Sequence, residues 1–462
     1  MIGMDLVLRA TSGRLLERAG AALLATAVRT DSRAVQPGDL FVALRGERFD
    51  GHDFVEQARA SGAVAALVSR EVRGTPLPQV VVADTLKALG DLARTWRERF
   101  SIPVIAVTGS NGKTTTKDMC AAILGELGPV LATAGNLNNE IGLPLTLLGL
   151  AEHHRFAVLE AAMRGPGEIA ALGAIAQPDV AVITNVAAAH LGRLGSLEAI
   201  ARAKGELFSA LRPGGRAVYP SDEPLLEAEA ARLGAEARWR FGATPGDAVR
   251  IERAEPDGAG TLVRLRVGDE SVDMRLPLPG SHNVRNAAAA AAAALAVGAR
   301  PAAIAAGLSR VRTAPHRSRI EDIAGRVIFD DCYNANPQSM AAALRAAAGL
   351  RAGARLVAVL GDMRELGDDA PALHAELGRA AAAAGVAALI GVGPLSRQTV
   401  TAAGASGVPR VWHVEDAQRA ADRVGAEARP GDVILVKASR AMELERVIDA
   451  LRALWSGSRG EG

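Results

Sequence analysis

The segment from Val104 to Thr115, Val-Ile-Ala-Val-Thr-Gly-Ser-Asn-Gly-Lys-Thr-Thr, constrains this chain more than any other. Val104 to Thr108 read as a buried strand. Gly109, Ser110, Asn111 and Gly112 form a small polar turn, and a helix opens near Lys113. Such a strand, turn and helix aim backbone N–H groups and the positive end of a helix at one point, where an anion binds. Lys113 then reaches the β- and γ-phosphates of a nucleotide, and the Thr114 hydroxyl is offered to Mg2+. Val107 stands where the first glycine of G-x-x-x-x-G-K-[ST] belongs, so the loop is a shortened G-x-x-G-K-T form.

The flanking sequence supplies the sheet that such a loop needs. The runs FAVLE and DVAVITNV alternate with helical patterns, the last around LEAIARAKGELFSALR. That alternation argues for a mostly parallel sheet covered by helices. The fold class is therefore α/β, and a length of 462 residues suggests three domains at about 150 residues each. Residues 1–100 form a small N-terminal α/β block, with a strand at Leu40 to Leu44, a polar loop, a helix and a second apolar strand. Residues 101–312 form the central block built on the phosphate loop, and Arg238 to Leu276 alternate as antiparallel edge strands do. Residues 313–462 carry the strands RVIFDD, ARLVAVLGD, AALIGVG and DVILVKAS between helices, a Rossmann-like pattern. The alanine run after Asn286 is expected to be a packed helix.

Composition excludes several functions. Lysine and arginine total 53 against 51 acidic residues, and a net charge of +2 leaves no broad positive field for nucleic acid. Aromatic residues are only 3%, too few for single-strand stacking platforms. Two cysteines, Cys120 and Cys332, cannot build a disulfide framework and indicate a reducing compartment. The longest apolar stretch, Ala287 to Val297, is too short for a bilayer of about 30 Å. The opening MIGMDLVLRA lacks a signal-peptide pattern. A cytoplasmic chain is expected, with no nucleic-acid partner and no membrane span.

Three groups complement the phosphate loop. Glu160 ends a strand, His190 follows the next strand by a short loop, and Lys204 lies in the following helix. Carboxyl ends of parallel strands converge on the ligand crevice, so Glu160 and His190 are placed to meet the bound phosphates and a divalent ion. Taken singly, each has an ordinary reading: a solvated carboxylate, an unliganded imidazole, a surface ammonium. A kinase, a nucleotide switch, a motor and a ligase all remain open at this point.

The motifs together resemble the Mur ligases, ATP-dependent amide-forming enzymes of peptidoglycan precursor synthesis. TGSNGKTTT is the short loop form of that family. ITNVAAAHL with His190, AKGELF with Lys204, and His282-Asn283-Val284-Arg285-Asn286 look like its signatures in order. The likeness spans about Asp31 to Arg446. Gly135 to Pro144, Asp330 to Pro337 and Leu360 to Gly367 look like the member that adds D-alanyl-D-alanine. The resemblance implies ATP and Mg2+ as cofactors, UDP-MurNAc-tripeptide and D-Ala-D-Ala as substrates, and a monomer. It assigns Ser32 and Arg33 to the UDP moiety, and Asn138 and Asn139 to the muramoyl-peptide. Gly109, Ser110, Asn111, Gly112, Lys113, Thr114, Thr115, Asn283, Asn286, Arg317 and Asp331 fall to ATP. Tyr333, Asn334 and Asn336 fall to the incoming dipeptide. Thr114, Glu160, His190 and a carbamylated Lys204 fall to the metal, with Lys113, Lys204 and His190 catalytic.

The chain departs from the family pattern at Glu160-Ala161-Ala162, where Glu-Met-Gly is common, and at Ala438, where glycine is usual. Two other readings compete: a relative adding the third peptide residue or glutamate to folate, and a nucleotide-dependent scaffold with a degenerate site. The Asn-rich runs argue against the first, and intact Lys113, Glu160, His190 and Lys204 against the second.

Overall fold

The computed structural model describes residues 1–16, 23–187, 194–350 and 353–456. The expected α/β class holds: sheets of five, nine and six strands follow one another along the sequence, with a small two-stranded pair near the start. The described residues group into two compact units. One comprises Met1–Val107, Gly128–Ala181 and Glu206–Gly215, and the other Thr108–Leu127, Val182–Gly205 and Arg216–Gly462.

In the first unit, four short strands run parallel in the order Gln79–Val81, Ala65–Val68, Leu40–Val42 and Val28–Arg29. Arg14–Leu15 joins their edge antiparallel. The helix Thr85–Arg97 is capped by Asp84, whose carboxylate accepts from the backbone N–H groups of Leu86 and Lys87. Its buried face includes Leu89, Leu92 and Trp96, and the Trp96 indole donates to the Leu150 carbonyl at 3.1 Å.

The nine-stranded sheet runs Glu270–Leu276, Gly260–Val267, Val249–Asp257, Arg238–Gly242, Arg216–Pro220, Val180–Ile183, Val104–Thr108, Phe156–Glu160, Val130–Ala132. Phe156–Glu160 pairs parallel with Val104–Thr108 and with Val130–Ala132. Every residue of Val104–Thr108 is buried, as its unbroken β-branched and apolar run requires. The expectation for Arg238 to Leu276 needs correction. The last three strands form an antiparallel meander, but Arg238–Gly242 runs parallel to both neighbours. The connection preceding it carries the helix Pro224–Ala230 and a 3-10 turn, long enough for a crossover.

The alanine-rich helix Ser281–Ala296 forms as expected, and Ala287 to Ala294 are each at most 1% exposed. It packs between the helix Lys113–Gly125 and the strands of the sheet. Helix Pro301–Ser309 also touches Lys113–Gly125. There a Cβ on Gly307 would lie 2.4 Å from the Ile123 Cα, so only glycine permits the approach.

The last sheet runs Arg319–Ile323, Arg326–Asp330, Val433–Lys437, Leu356–Gly361, Val386–Val392, Arg410–Val414. All neighbours are parallel except the first pair. Helices cover both faces. Leu356, Ala358 and Leu360 pack in one core with Met340, Leu344 and Leu377, while Val357 and Val359 pack in the other with Val424, Val447 and Leu451. Among the described residues no helix is long and apolar enough to cross a membrane.

Candidate active site

The phosphate loop is held from several directions. Gly109 has φ +147, and a Cβ there would meet the Thr184 Oγ1 at 1.9 Å. Gly112 has φ +79, and a Cβ there would meet the Asn286 Oδ1 at 2.2 Å. Both glycines are therefore required by conformation and by space. The Thr184 hydroxyl donates to the Asn111 carbonyl at 2.6 Å, and the Asn111 N–H donates to the Asn185 Oδ1 at 2.9 Å. Ser110 exchanges hydrogen bonds with Ala187, donating through Oγ at 3.1 Å and accepting at 2.9 Å. Gly112 precedes the helix Lys113–Gly125, where the Lys113 Nζ turns back to donate to the Gly109 carbonyl at 2.9 Å. Thr114 and Thr115 are buried in the first turn. A rigid turn at a helix N-terminus with an ammonium over it suits a polyphosphate.

Lys204 lies in the helix Leu197–Ser209 and is 2% exposed. Burial, with the nearby Lys113 charge, pushes its ammonium well below the ordinary lysine range. Asn283 and Asn286 share one buried face of Ser281–Ala296. Asn283 donates to the Pro279 carbonyl at 2.8 Å, and Asn286 packs beneath Gly112.

In the other unit, Glu160 is 2% exposed at the end of its strand. Its Oε1 accepts from the Asn138 amide at 2.7 Å, while its buried Oε2 has no hydrogen-bond partner among the described residues. An unpaired buried carboxylate oxygen is costly, and a cation is its natural complement. The Asn139 Oδ1 accepts from the Gly142 N–H at 2.9 Å at the start of helix Gly142–Leu147. The Ser32 hydroxyl donates to Gln57 at 2.9 Å. Arg33 is largely exposed, and its hydrogen bonds hold the Asp31 carboxyl down to about 2.

The residues after Thr313 form a second cluster. The Arg317 guanidinium lies 3.9 Å from the Tyr333 ring centroid. Asp331 accepts from the Ser318 N–H at 2.9 Å and pairs with the buried Lys437, which also donates to the Asn334 carbonyl at 2.9 Å. Asn336 caps the helix Pro337–Ala348. Its amide also donates to the Asn111 Oδ1 at 2.6 Å, and the Asn111 amide donates to Gln338 at 2.7 Å. The phosphate loop is thus tied side chain to side chain to this helix. His190 lies outside the described residues.

Three family models cover the chain. The Mur ligase family catalytic domain matches residues 25–97, the Mur ligase middle domain 107–294, and the Mur ligase glutamate ligase domain 316–440. The UDP-N-acetylmuramoyl-tripeptide–D-alanyl-D-alanine ligase of Escherichia coli (strain K12) is 42% identical over 440 residues, which are 94% of this chain and 96% of the relative. The chain belongs to the Mur ligase family. The ligase of the same name from Bacillus subtilis (strain 168) is 40% identical, with 92% of each protein covered. A crystal structure of MurF from Acinetobacter baumannii matches this Mur ligase with a TM-score of 0.89 at 34% identity, covering 98% of it and 99% of the other chain. MurF ligase from Thermotoga maritima in complex with ADP matches with a TM-score of 0.85 at 31% identity, over 95% and 99% of the two chains.

Both departures from the Mur ligase pattern have structural explanations. The Ala161 N–H continues the ladder to the Val107 carbonyl at 2.9 Å, and the Ala162 N–H donates to the Asn138 carbonyl at 2.8 Å, so the backbone beside Glu160 stays fixed. Ala438 is fully buried, and its methyl fills space that Gly361 leaves: a Cβ there would come within 2.7 Å of it. Sequence reasoning missed Thr184, Asn185, Gln338 and Lys437. Thr184 and Asn185 directly follow the strand Val180–Ile183, and that position was the available signal.

Proposed function

We propose that this Mur ligase joins D-alanyl-D-alanine to UDP-N-acetylmuramoyl-tripeptide, converting ATP to ADP and phosphate and giving the pentapeptide. The identity to ligases of that name over nearly the full length supports the reading. The observation that carries it is the phosphate loop, rigidly held with Lys113 above it. The tripeptide carboxylate attacks the γ-phosphorus, ADP leaves, and an acyl phosphate forms. The dipeptide amine then attacks the acyl carbon and phosphate departs. Lys113 and the helix N-terminus stabilise the charge that builds on the transferring phosphoryl group.

Mg2+, when bound, supplies further positive charge to the phosphates. The residues proposed to hold it are Thr114, Glu160, His190 and Lys204, and the Glu160 Oε2, which has no hydrogen-bond partner among the described residues, fits a cation. Lys204 would serve as a carbamate. Burial favours its neutral amine, and that is the form that adds CO2 and releases a proton. Ser32 and Arg33, in residues 1–100, are proposed to bind the UDP moiety. Residues 101–312 would hold ATP through Gly109 to Thr115, Asn283 and Asn286, and the tripeptide through Asn138 and Asn139. Residues 313–462 would contribute Arg317 and Asp331 to ATP, and Tyr333, Asn334 and Asn336 to the dipeptide. The reaction is placed in the cytoplasm, with the chain acting as a monomer.

A phosphate-release assay tests the activity. UDP-MurNAc-tripeptide and D-Ala-D-Ala together should drive ATP turnover, while either alone or a single amino acid should not. Turnover indifferent to the dipeptide would overturn the proposal.

A further inference from the structure

A second cluster of ligating groups lies at the end of the strand Arg326–Asp330. Donor atoms of His316, Asp330 and Cys332 all fall within 4.8 Å of one another. The His316 Nδ1 is 2.8 Å from the Asp330 Oδ2, and the Cys332 Sγ is 3.1 Å from the Asp330 Oδ1. Asp330 and Cys332 are buried, while the His316 side chain remains one-third exposed, which leaves a way in from solvent. His316 adopts φ +62, a left-handed conformation that side chains other than glycine seldom take. The turn is thus held against its local preference with the imidazole on Asp330.

Glu445 opens the helix Glu445–Ser456 and pairs through Oε1 with Arg440, and its Oε2 has no hydrogen-bond partner among the described residues. Its charge acts on both His316 and Cys332. One sulfur, one imidazole and one carboxylate lie within 4.8 Å of one another. A tetrahedral ion with bonds of about 2.0–2.3 Å spaces its ligands about 3.3–3.8 Å apart. The cluster needs adjustments of only about an ångström to reach that spacing.

We propose that His316, Asp330 and Cys332 bind a single thiophilic divalent cation of the zinc class. Sulfur and imidazole select such an ion over Mg2+, which prefers an all-oxygen shell. The site is therefore separate in chemistry from the metal proposed for ATP, and it does not depend on the ligase reading. Without the cation, protons on His316 and Cys332 hold the Asp330 carboxylate. Binding displaces the thiol proton, because the ligand form of cysteine is the thiolate. An ion there would staple the turn carrying Arg317 to the strand end before Tyr333.

The test is a Cd2+ titration of the tag-free, metal-free, reduced full chain. A near-ultraviolet thiolate-to-metal band should saturate at one equivalent and survive a large excess of Mg2+. Cys332→Ser should abolish it and Cys120→Ser should leave it intact. His316→Gln should weaken binding at least tenfold. No band at one equivalent, or a band that persists in Cys332→Ser, overturns the proposal. Should Cys332→Ser fail to fold by circular dichroism, parental affinity in His316→Gln overturns it equally.

Discussion

Lys113 and Lys204 act on one another electrostatically. Lys113 stays near its own loop carbonyls, ready to face phosphate. Lys113→Ala should lower kcat by about 10²-fold or more with an unchanged circular dichroism spectrum; a rate within a few-fold of the parent would remove it from the mechanism. Lys204 is buried against that charge and is pushed toward the neutral amine. In bicarbonate buffer, intact-mass analysis under non-acidic conditions should find one added CO2, absent from Lys204→Ala. That variant should be nearly inactive and partly restored by short carboxylates. Lys113, Thr114 and the loop glycines were legible because their arrangement is local: strand, turn and helix are contiguous in sequence. The partners that stiffen the loop were not. Thr184, Asn185 and Gln338 reach Asn111 from remote segments, and no spacing rule announces a contact made across a fold. Glu160 was legible as a strand-end carboxylate, whereas an Oε2 without a hydrogen-bond partner among the described residues is visible only in three dimensions.

Central strands were readable because burial on both faces demands unbroken apolar runs, as in Val104–Thr108 and Leu356–Gly361. Edge strands such as Arg319–Ile323 and Arg410–Val414 are mixed in polarity and left no such run. The direction of Arg238–Gly242 was misjudged for a related reason, since alternation reports one solvated face and not the hand of the pairing. Two helices offer tests at this scale. Gly307→Ala would force Pro301–Ser309 off Lys113–Gly125 and should cost about 1–3 kcal/mol in denaturant unfolding, as overpacking does. His282, in the first turn of Ser281–Ala296, is held down to about 4, chiefly by burial, with Lys437 and Arg345 adding and Asp331 opposing. Its folded value lies below the unfolded one, so its contribution is complete above about pH 6.5 and fades as pH falls toward 4. The gap corresponds to at most about 3 kcal/mol, and less because solvent reaches part of the ring. His282→Gln should flatten the rise of stability between pH 4 and 6.5; an unaltered slope would contradict the assignment.

For the whole molecule, the proposed division of labour predicts separable kinetics. Arg33 is exposed on a block without a phosphate loop. Arg33→Ala should raise KM for the UDP substrate and leave KM for ATP and kcat nearly unchanged, the signature of lost uniform binding; equal rises for both substrates would refute the separation. The alternation of strands and helices behind the five-, nine- and six-stranded sheets could be read from sequence. The tie from Asn111 to Asn336 and Gln338 could not, since it joins side chains far apart in the chain. The stretch Ala287 to Ala294 has a different lesson. Low-complexity sequence is ordinarily where a gene drifts freely. Here eight alanines, none exposed beyond 1%, lie on the helix packed between the phosphate-loop helix and the sheet. A larger side chain there has no solvent to move into and must displace a packed neighbour. The plainest stretch of the sequence is therefore among the least free to vary.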